Sequence, residues 1–201
     1  PRPEPLYPAE RKRERWAVIG LSYGHRGRHV SKLNAHEGQP QPLKAPKATR
    51  SLTGKVRVPG DKSISHRALM FGALATGKTT ITGLLEAEDV LNTAKAVTAL
   101  GAIATKAGDT WTVLGRGTGG LKQPDAPIDF GNSGTGTRLM MGVVAGHEMT
   151  VTRTGDASLS RRPMGRVLKP LRQMGLLTHE SRDILPLTVQ GSAHLVPIEY
   201  V

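Results

Sequence analysis

Apolar segments with helical spacing alternate along this chain with short β-branched segments, and glycines separate them from Leu52 onward. Apolar residues at every third or fourth position favour an amphipathic helix, whereas β-branched runs bounded by glycine favour a strand. The pattern predicts helices over 63–76, 88–100, 133–146 and 164–174. It predicts strands over 55–58, 79–83, 102–106, 110–114, 128–130, 149–154, 176–179, 185–189 and 194–201. This alternation is typical of an α/β protein.

The order strand–helix–strand–helix–strand–strand occurs twice, and the two units are offset by about 75 residues. Three pairs of residues mark equivalent positions: Arg67 and Arg138, Gly101 and Gly175, Gly115 and Gly191. Repetition at this length predicts a pseudo-symmetric fold built of β-α-β-α-β-β units. The strand over 194–201 would open a third unit, so we interpret the domain as incomplete.

Residues 1–50 differ from the rest of the chain. They hold 11 Lys and Arg against 4 Glu and no Asp, and they show no sustained apolar period. Only the segment 16–21 could form a short strand. We predict that this basic head is disordered or is an extension foreign to the fold.

The formal net charge of +12 raises nucleic acid as a partner, but much of that charge lies in the head. The chain has only 2 Phe, 3 Tyr and 2 Trp, too few to provide many stacking platforms for bases. A small phosphorylated or carboxylated molecule suits the mildly basic body, and we expect no nucleic-acid partner. No apolar run approaches the roughly 18 residues of a membrane span, and no signal peptide is evident. We therefore expect a cytoplasmic protein without a membrane partner.

Two segments carry the strongest chemical signal, Gly60–Arg67 and Gly131–Arg138. Each places glycine, hydroxyl side chains and arginine at a predicted helix start. Free backbone N–H groups and the positive end of the helix dipole favour an anion there. The segment Gly155–Gly165 adds two adjacent arginines, Arg161 and Arg162. The three segments predict two anion sites, or two halves of one.

Each segment also has an interpretation without a ligand. Lys62 and Ser63 could belong to an ordinary capped helix, Gly131–Arg138 to a loose glycine loop, and the two arginines to an exposed loop. Lys62 and Arg67 oppose the helix dipole, however, and several glycines destabilise a helix start, so a bound anion explains both features better.

Other signals do not add a site. The segment Gly72–Thr79 matches the P-loop pattern, but here a helix leads into a strand, the reverse of the order that a P-loop requires. The chain has no cysteine, and His66 and His147 lack metal-ligand spacing, so we assign them surface or helix-end roles. No metal and no cofactor are predicted.

Together, Val58–Arg67, Asp129–Arg138 and Gly155–Gly165 make residues 51–201 closely similar to the 5-enolpyruvylshikimate-3-phosphate synthase family, also called 3-phosphoshikimate 1-carboxyvinyltransferases. The sequence Gly-Asp-Lys-Ser-Ile-Ser-His-Arg resembles the motif of the bacterial members of this family. The resemblance implies transfer of the enolpyruvyl group of phosphoenolpyruvate to the 5-hydroxyl of shikimate 3-phosphate, a step of aromatic amino acid biosynthesis. It also implies an inverse α/β barrel with three repeats in each of two domains.

The resemblance further implies the roles of individual residues. Lys62 would be catalytic and would contact both substrates. Shikimate 3-phosphate would be bound by Lys62, Ser63 and Arg67. Phosphoenolpyruvate would be bound by Lys62, Asn132, Gly134, Thr135 and Arg162.

Family members are about twice as long, so the resemblance identifies this chain as an N-terminal fragment. Residues 51–60 would form a strand of the other domain, and 61–201 would form two of the three repeats of the domain that binds shikimate 3-phosphate. We expect the complete protein to be a monomer and this chain alone to be inactive. The alternatives are a non-catalytic anion-binding half-site, a UDP-N-acetylglucosamine enolpyruvyl transferase, and a nucleic-acid-binding protein driven by the basic head.

Overall fold

The computed structural model of this chain describes Ser51 and residues 53–200, which fall into two units with a boundary after Val58. The described part of the first unit contains no helix or strand. The strand predicted over 55–58 is therefore wrong, because a strand exists through ladder hydrogen bonds and neither sheet of the structure includes these residues. The predictions for residues 1–50, including the strand over 16–21, lie outside the described residues.

The second unit contains all the regular structure that is described. Its helices are α1 (Lys62–Leu74), α2 (Glu88–Ala99), α3 (Gly134–Ala145) and α4 (Gly165–Met174), with a 3-10 turn over Leu159–Arg161. Its strands are β1 (Thr76–Thr82), β2 (Ile103–Ala107), β3 (Thr110–Arg116), β4 (Ile128–Asp129), β5 (Thr150–Thr154), β6 (Leu177–Thr178) and β7 (Leu187–Gln190).

The strands form two sheets with matching topology. The first sheet has the order β1-β3-β2, with antiparallel neighbours throughout. In the second sheet, β5-β7-β6 repeats that order and is again antiparallel, while β4 pairs with β5 in parallel. Apart from β4, which precedes α3, each sheet takes its strands from one helix–strand–helix–strand–strand run. The predicted α/β fold with an internal repeat is therefore confirmed.

Equivalent residues play equivalent parts in the two units. Gly101 and Gly175 close α2 and α4 with φ angles of +93° and +117°, in the left-handed region that favours glycine at helix ends. Arg67 and Arg138 each donate a hydrogen bond to the backbone carbonyl four residues earlier, at 3.0 and 3.3 Å. The pairs that mark the repeat in sequence thus coincide in structure.

Helices α1 and α3 form the centre of the core, because they pack against α2 and against each other. Helix α1 buries Leu69 and Met70, and α3 buries Met140 and Met141. Burial of these side chains is the main force that brings the two helices together. Because both helices carry a predicted site at their first turn, their packing decides whether the two sites meet.

Several element boundaries differ from prediction by a few residues, and one predicted strand is not formed. Helix α1 ends at Leu74 rather than residue 76, because β1 begins at Thr76. Residues 195–200 lie in neither sheet, so the strand predicted over 194–201 is wrong within the described part. The helix-to-strand order across the P-loop-like segment is confirmed, and the first glycine of that segment, Gly72, packs within α1 against Val113.

Candidate anion-binding site

The first turn of α1 presents the first set of predicted residues. Asp61 caps the helix, since its Oδ1 accepts a backbone N–H of the first turn at 2.8 Å. Lys62 Nζ lies 3.2 Å from Asp89 Oδ2 on α2, and Arg67 donates to the carbonyl of Ser63 at 3.0 Å. Lys62, Ser63 and Arg67 are all exposed. Their polar groups are therefore accessible to a ligand in solution.

His66 lies fully buried behind this turn. Its Nδ1 is 2.7 Å from Thr93 Oγ1, and its Nε2 is 3.8 Å from Asp89 Oδ2. Burial lowers the pKa of His66 below its ordinary value, although the nearby Asp89 carboxylate acts to raise it. Because a neutral imidazole carries no charge, the carboxylate of Asp89 forms its ion pair with Lys62. The predicted surface or helix-end role of His66 is wrong, because its side chain lies on the buried face of α1.

The first turn of α3 presents the second set. Ser133 caps the helix, and its Oγ accepts a backbone N–H at 3.2 Å. Thr135 is exposed, whereas Gly134 is buried. A Cβ atom at Gly134 would lie 3.0 Å from Nη1 of Arg138 and 3.1 Å from Nη1 of Arg162. The glycine therefore permits two guanidinium groups to approach the start of a helix closely.

Arg162 reaches this helix start from the segment that follows β5. Its Nη2 donates to Asn132 Oδ1 at 2.7 Å and to Ser158 Oγ at 3.3 Å. Arg138 Nη2 donates to the carbonyl of Pro163 at 3.0 Å, which ties the same segment to α3. The structure thus brings together Asn132 and Arg162, which are 30 residues apart in sequence.

Helix α2 connects the two helix starts. Asp89 pairs with Lys62 of the first, as described above. Thr93 Oγ1 would lie 2.8 Å from a Cβ at Gly136, within the first turn of α3, and Asn92 Nδ2 would lie 2.7 Å from a Cβ at Gly131. The two predicted sites therefore flank the same two turns of α2.

The sequence interpretation missed the part played by α2. It took Glu88 and Asp89 as an ordinary acidic helix start. Asp89, Asn92 and Thr93 have the spacing i, i+3, i+4, which places three polar side chains on one helix face. Asn92 and Thr93 are buried, so this polar face is turned into the protein. The spacing of these three polar residues is the sequence signal that could have identified this face of α2.

Four basic side chains lie at the two helix starts, and one of them, Lys62, pairs with Asp89. Lys62, Arg67, Arg138 and Arg162 surround two helix starts, whose free N–H groups add partial positive charge. Arg162 and Arg138 donate to neutral oxygens, so these contacts do not cancel their charge. Such an arrangement suits a carboxylate or a phosphate group.

Another cleft lies elsewhere but has the wrong chemistry for an anion. It encloses about 530 Å³ at the opposite end of β5 from the Arg162 segment. Its lining includes Glu148, Gln123 and Gln190 but neither lysine nor arginine. The site between the helix starts is therefore the better candidate for anion binding.

Residues 53–200 contain neither a metal-binding cluster nor a membrane-spanning helix. No group of three His, Asp or Glu side chains there could hold a metal ion. No helix in the same range is long and apolar enough to cross a membrane.

Comparisons with known proteins show the family of this chain. A family model described as EPSP synthase (3-phosphoshikimate 1-carboxyvinyltransferase) matches residues 46–201. A 3-phosphoshikimate 1-carboxyvinyltransferase of Chelativorans sp. (strain BNC1) is 59% identical over 154 residues, which cover 76% of this chain and 34% of the relative. The protein of that name in Brucella abortus (strain S19) is 54% identical over 167 residues, which cover 83% of this chain and 37% of the relative.

The fold has a close counterpart among solved structures. The EPSP synthase of Acinetobacter baumannii matches with a TM-score of 0.69 and 43% sequence identity, over 73% of this chain and 34% of that chain. The chain therefore spans about a third of the length of these relatives.

Proposed function

Because the chain belongs to the EPSP synthase family, we propose that its two adjoining helix starts bind the two anionic substrates of an enolpyruvyl transfer. The substrates are shikimate 3-phosphate and phosphoenolpyruvate. The enolpyruvyl group passes to the 5-hydroxyl of shikimate 3-phosphate, and inorganic phosphate is released. The observation that carries the proposal is the convergence of Lys62, Arg138 and Arg162 at two helix starts that share α2.

In this proposal each helix start binds one of the two substrates. Lys62, Ser63 and Arg67 on α1 bind the phosphate of shikimate 3-phosphate. Asn132, Gly134, Thr135 and Arg162 bind phosphoenolpyruvate at α3, where backbone N–H groups and a guanidinium converge. Lys62, whose Nζ lies beside Asp89 on α2, contacts both substrates.

These groups contribute to the reaction mainly through electrostatics. Phosphoenolpyruvate carries its carboxylate and its phosphate on the same carbon atom, and charge moves onto the phosphate as it leaves. Cations and N–H donors that are already in place stabilise this charge without reorganisation. Lys62 Nζ lies 3.2 Å from Asp89 Oδ2, and in this proposal Lys62 contacts both substrates, so we assign it the catalytic role.

Replacing Lys62 by alanine is expected to weaken binding of shikimate 3-phosphate by about tenfold or more, because a hydrogen-bonded charge pair is lost. Calorimetric titration of this chain measures the change. The matched control is Lys78→Ala, which removes the same charge from an exposed position on β1. Equal affinity in Lys62→Ala and the wild type would contradict the assignment.

Replacing Gly134 by alanine is expected to weaken binding of phosphoenolpyruvate by about tenfold while leaving shikimate 3-phosphate binding unchanged. The added methyl would lie about 3 Å from the guanidiniums of Arg138 and Arg162 and would displace them. Gly142→Ala, in open space on the same helix, is the control. Unaltered phosphoenolpyruvate affinity in Gly134→Ala would show that this helix start does not bind that substrate.

The alternative function is that of an anion-binding module without catalysis, which the same cations would support. Release of inorganic phosphate from a mixture of both substrates separates the two, because only a catalyst produces it. A third possibility, nucleic-acid binding, would appear as DNA binding with a steep dependence on salt. A cytoplasmic location and a monomeric state of the complete protein are part of our proposal and are tested by fractionation and by light scattering.

A further inference from the structure

Asp156 lies at the junction between β5 and the segment that carries Arg162, and its two carboxylate oxygens have different partners. Oδ1 accepts the backbone N–H of Leu159 at 2.7 Å, which caps the 3-10 turn over Leu159–Arg161. Oδ2 accepts Nδ2 of Asn132 at 2.7 Å. The backbone N–H of Asp156 also donates to the carbonyl of Gly131 at 2.9 Å. Asp156 therefore joins this segment to the start of α3.

The carboxylate determines which way the Asn132 amide faces. An ionised carboxylate offers only acceptors, so it must be met by the NH2 end of the amide. The amide oxygen then points away from Asp156, and it accepts Nη2 of Arg162 at 2.7 Å. With the opposite amide orientation, two N–H groups would face each other at Arg162.

The position of Arg162 depends on that amide oxygen. Asn132 Oδ1 holds one nitrogen of the guanidinium, and the other nitrogen, Nη1, lies 3.1 Å from the Cβ position at Gly134. Because the amide oxygen is neutral, it orients Arg162 without neutralising it. The positive charge remains available to an anion at the start of α3.

We propose that Asp156 is a positioning residue that acts through Asn132 to hold Arg162 in place for phosphoenolpyruvate. This inference rests on the function proposed above. It assigns to Asp156 a role in substrate affinity in addition to its role in capping a turn.

The informative substitution is Asp156→Asn. An asparagine oxygen can still accept the N–H of Leu159, so the cap is kept, but its NH2 group now faces the NH2 group of Asn132. The Asn132 amide must turn over, and Arg162 loses the shorter of its two hydrogen bonds, the one to Asn132 Oδ1. We expect the affinity for phosphoenolpyruvate, titrated with shikimate 3-phosphate present, to fall by about tenfold. The affinity for shikimate 3-phosphate alone should change by less than about twofold, because that site does not use Arg162.

Asp125→Asn is the matched control, because it removes one carboxylate charge from an exposed loop position. A second test is a double-mutant cycle with Asn132→Ala. If Asp156 acts through Asn132, the loss from Asp156→Asn should largely disappear in the Asn132→Ala background. A purely structural role would give the same loss in both backgrounds.

The outcomes separate this inference from the proposed function. Weakened phosphoenolpyruvate binding in Asp156→Asn, with a non-additive cycle, supports the inference. Wild-type affinity in Asp156→Asn, or full additivity with Asn132→Ala, overturns it and leaves the proposed function standing. If the wild-type chain binds neither substrate, the proposed function fails and the positioning role fails with it.

Discussion

Replacing Arg153 by methionine is expected to stabilise this chain by about 2 kcal/mol or more at neutral pH, an increase in melting temperature of about 5 °C or more. Arg153 is the largest fully buried side chain in the described residues. Among those residues its Nε and Nη1 have no hydrogen-bond partner, and its Nη2 donates only to the carbonyl of Met140 at 3.4 Å. Methionine has a similar length and removes the buried charge.

The same guanidinium predicts a dependence of stability on pH. Burial lowers the pKa of Arg153 well below its ordinary value, to about 9 in the folded state. Between these two values the unfolded chain binds more protons than the folded chain, so stability rises with pH in this range. The destabilisation by Arg153 is therefore fully present below about pH 9 and diminishes above it, by up to about 1.4 kcal/mol per pH unit.

Thermal unfolding of both proteins at about pH 7.5 and about pH 10.5 measures this effect. Lysines and tyrosines titrate in both, so the difference between wild type and Arg153→Met isolates Arg153. We expect that difference to be smaller at the higher pH. Arg166→Met, on the exposed face of α4, should change stability by no more than about 0.5 kcal/mol. A lower melting temperature for Arg153→Met at neutral pH would show that the guanidinium stabilises the fold.

Replacing Gly191 by alanine is expected to destabilise the chain by about 4 kcal/mol or more, enough to prevent cooperative folding. A Cβ at this position would overlap the backbone carbonyl oxygens of Val144 and His147 at the end of α3. Backbone atoms cannot rotate away as a flexible side chain can, so either β7 or α3 must shift. Loss of the cooperative thermal transition, followed by circular dichroism, is the expected measurement.

The equivalent position in the first unit, Gly115, gives an independent test. There a Cβ would overlap the carbonyls of Gly72 and Ala75 at the end of α1, so Gly115→Ala should be as damaging. Gly142→Ala is the control, since a Cβ there meets nothing within 4 Å and alanine favours a helix by about 1 kcal/mol. If Gly191→Ala unfolds with normal cooperativity near the wild-type temperature, the close packing of strand on helix end is not essential.

This repeated contact shows how far the sequence predicts the fold. Gly115 and Gly191 mark the repeat in the sequence, and the structure gives the reason: in each unit the last strand passes directly over the end of the first helix. The predicted helices and the strands in the two sheets follow from local spacing. The two strands that were wrong, over 55–58 and 194–201, share a property, since neither has a neighbour in the two sheets. A strand needs a partner, and local sequence does not show whether one is present.

Arg153 shows the same limit in the core. It alternates with Met149 and Val151, so the period of a strand places it on their face, and all three are buried. The charge of arginine argues for an exposed position, and the packing of α3 on the sheet overrides that preference.

The sequence by itself determined the repeat, the α/β class and the chemistry of the two helix starts, because these depend on the order and types of neighbouring residues. Tertiary structure decided that the helix starts lie beside the same turns of α2, that Asp89 holds Lys62, and that Asp156 orients Asn132 toward Arg162. Those contacts join residues 24 to 30 positions apart and depend on how helices pack. Residue pattern specifies each element, but only the burial of their apolar faces together sets the distances between them.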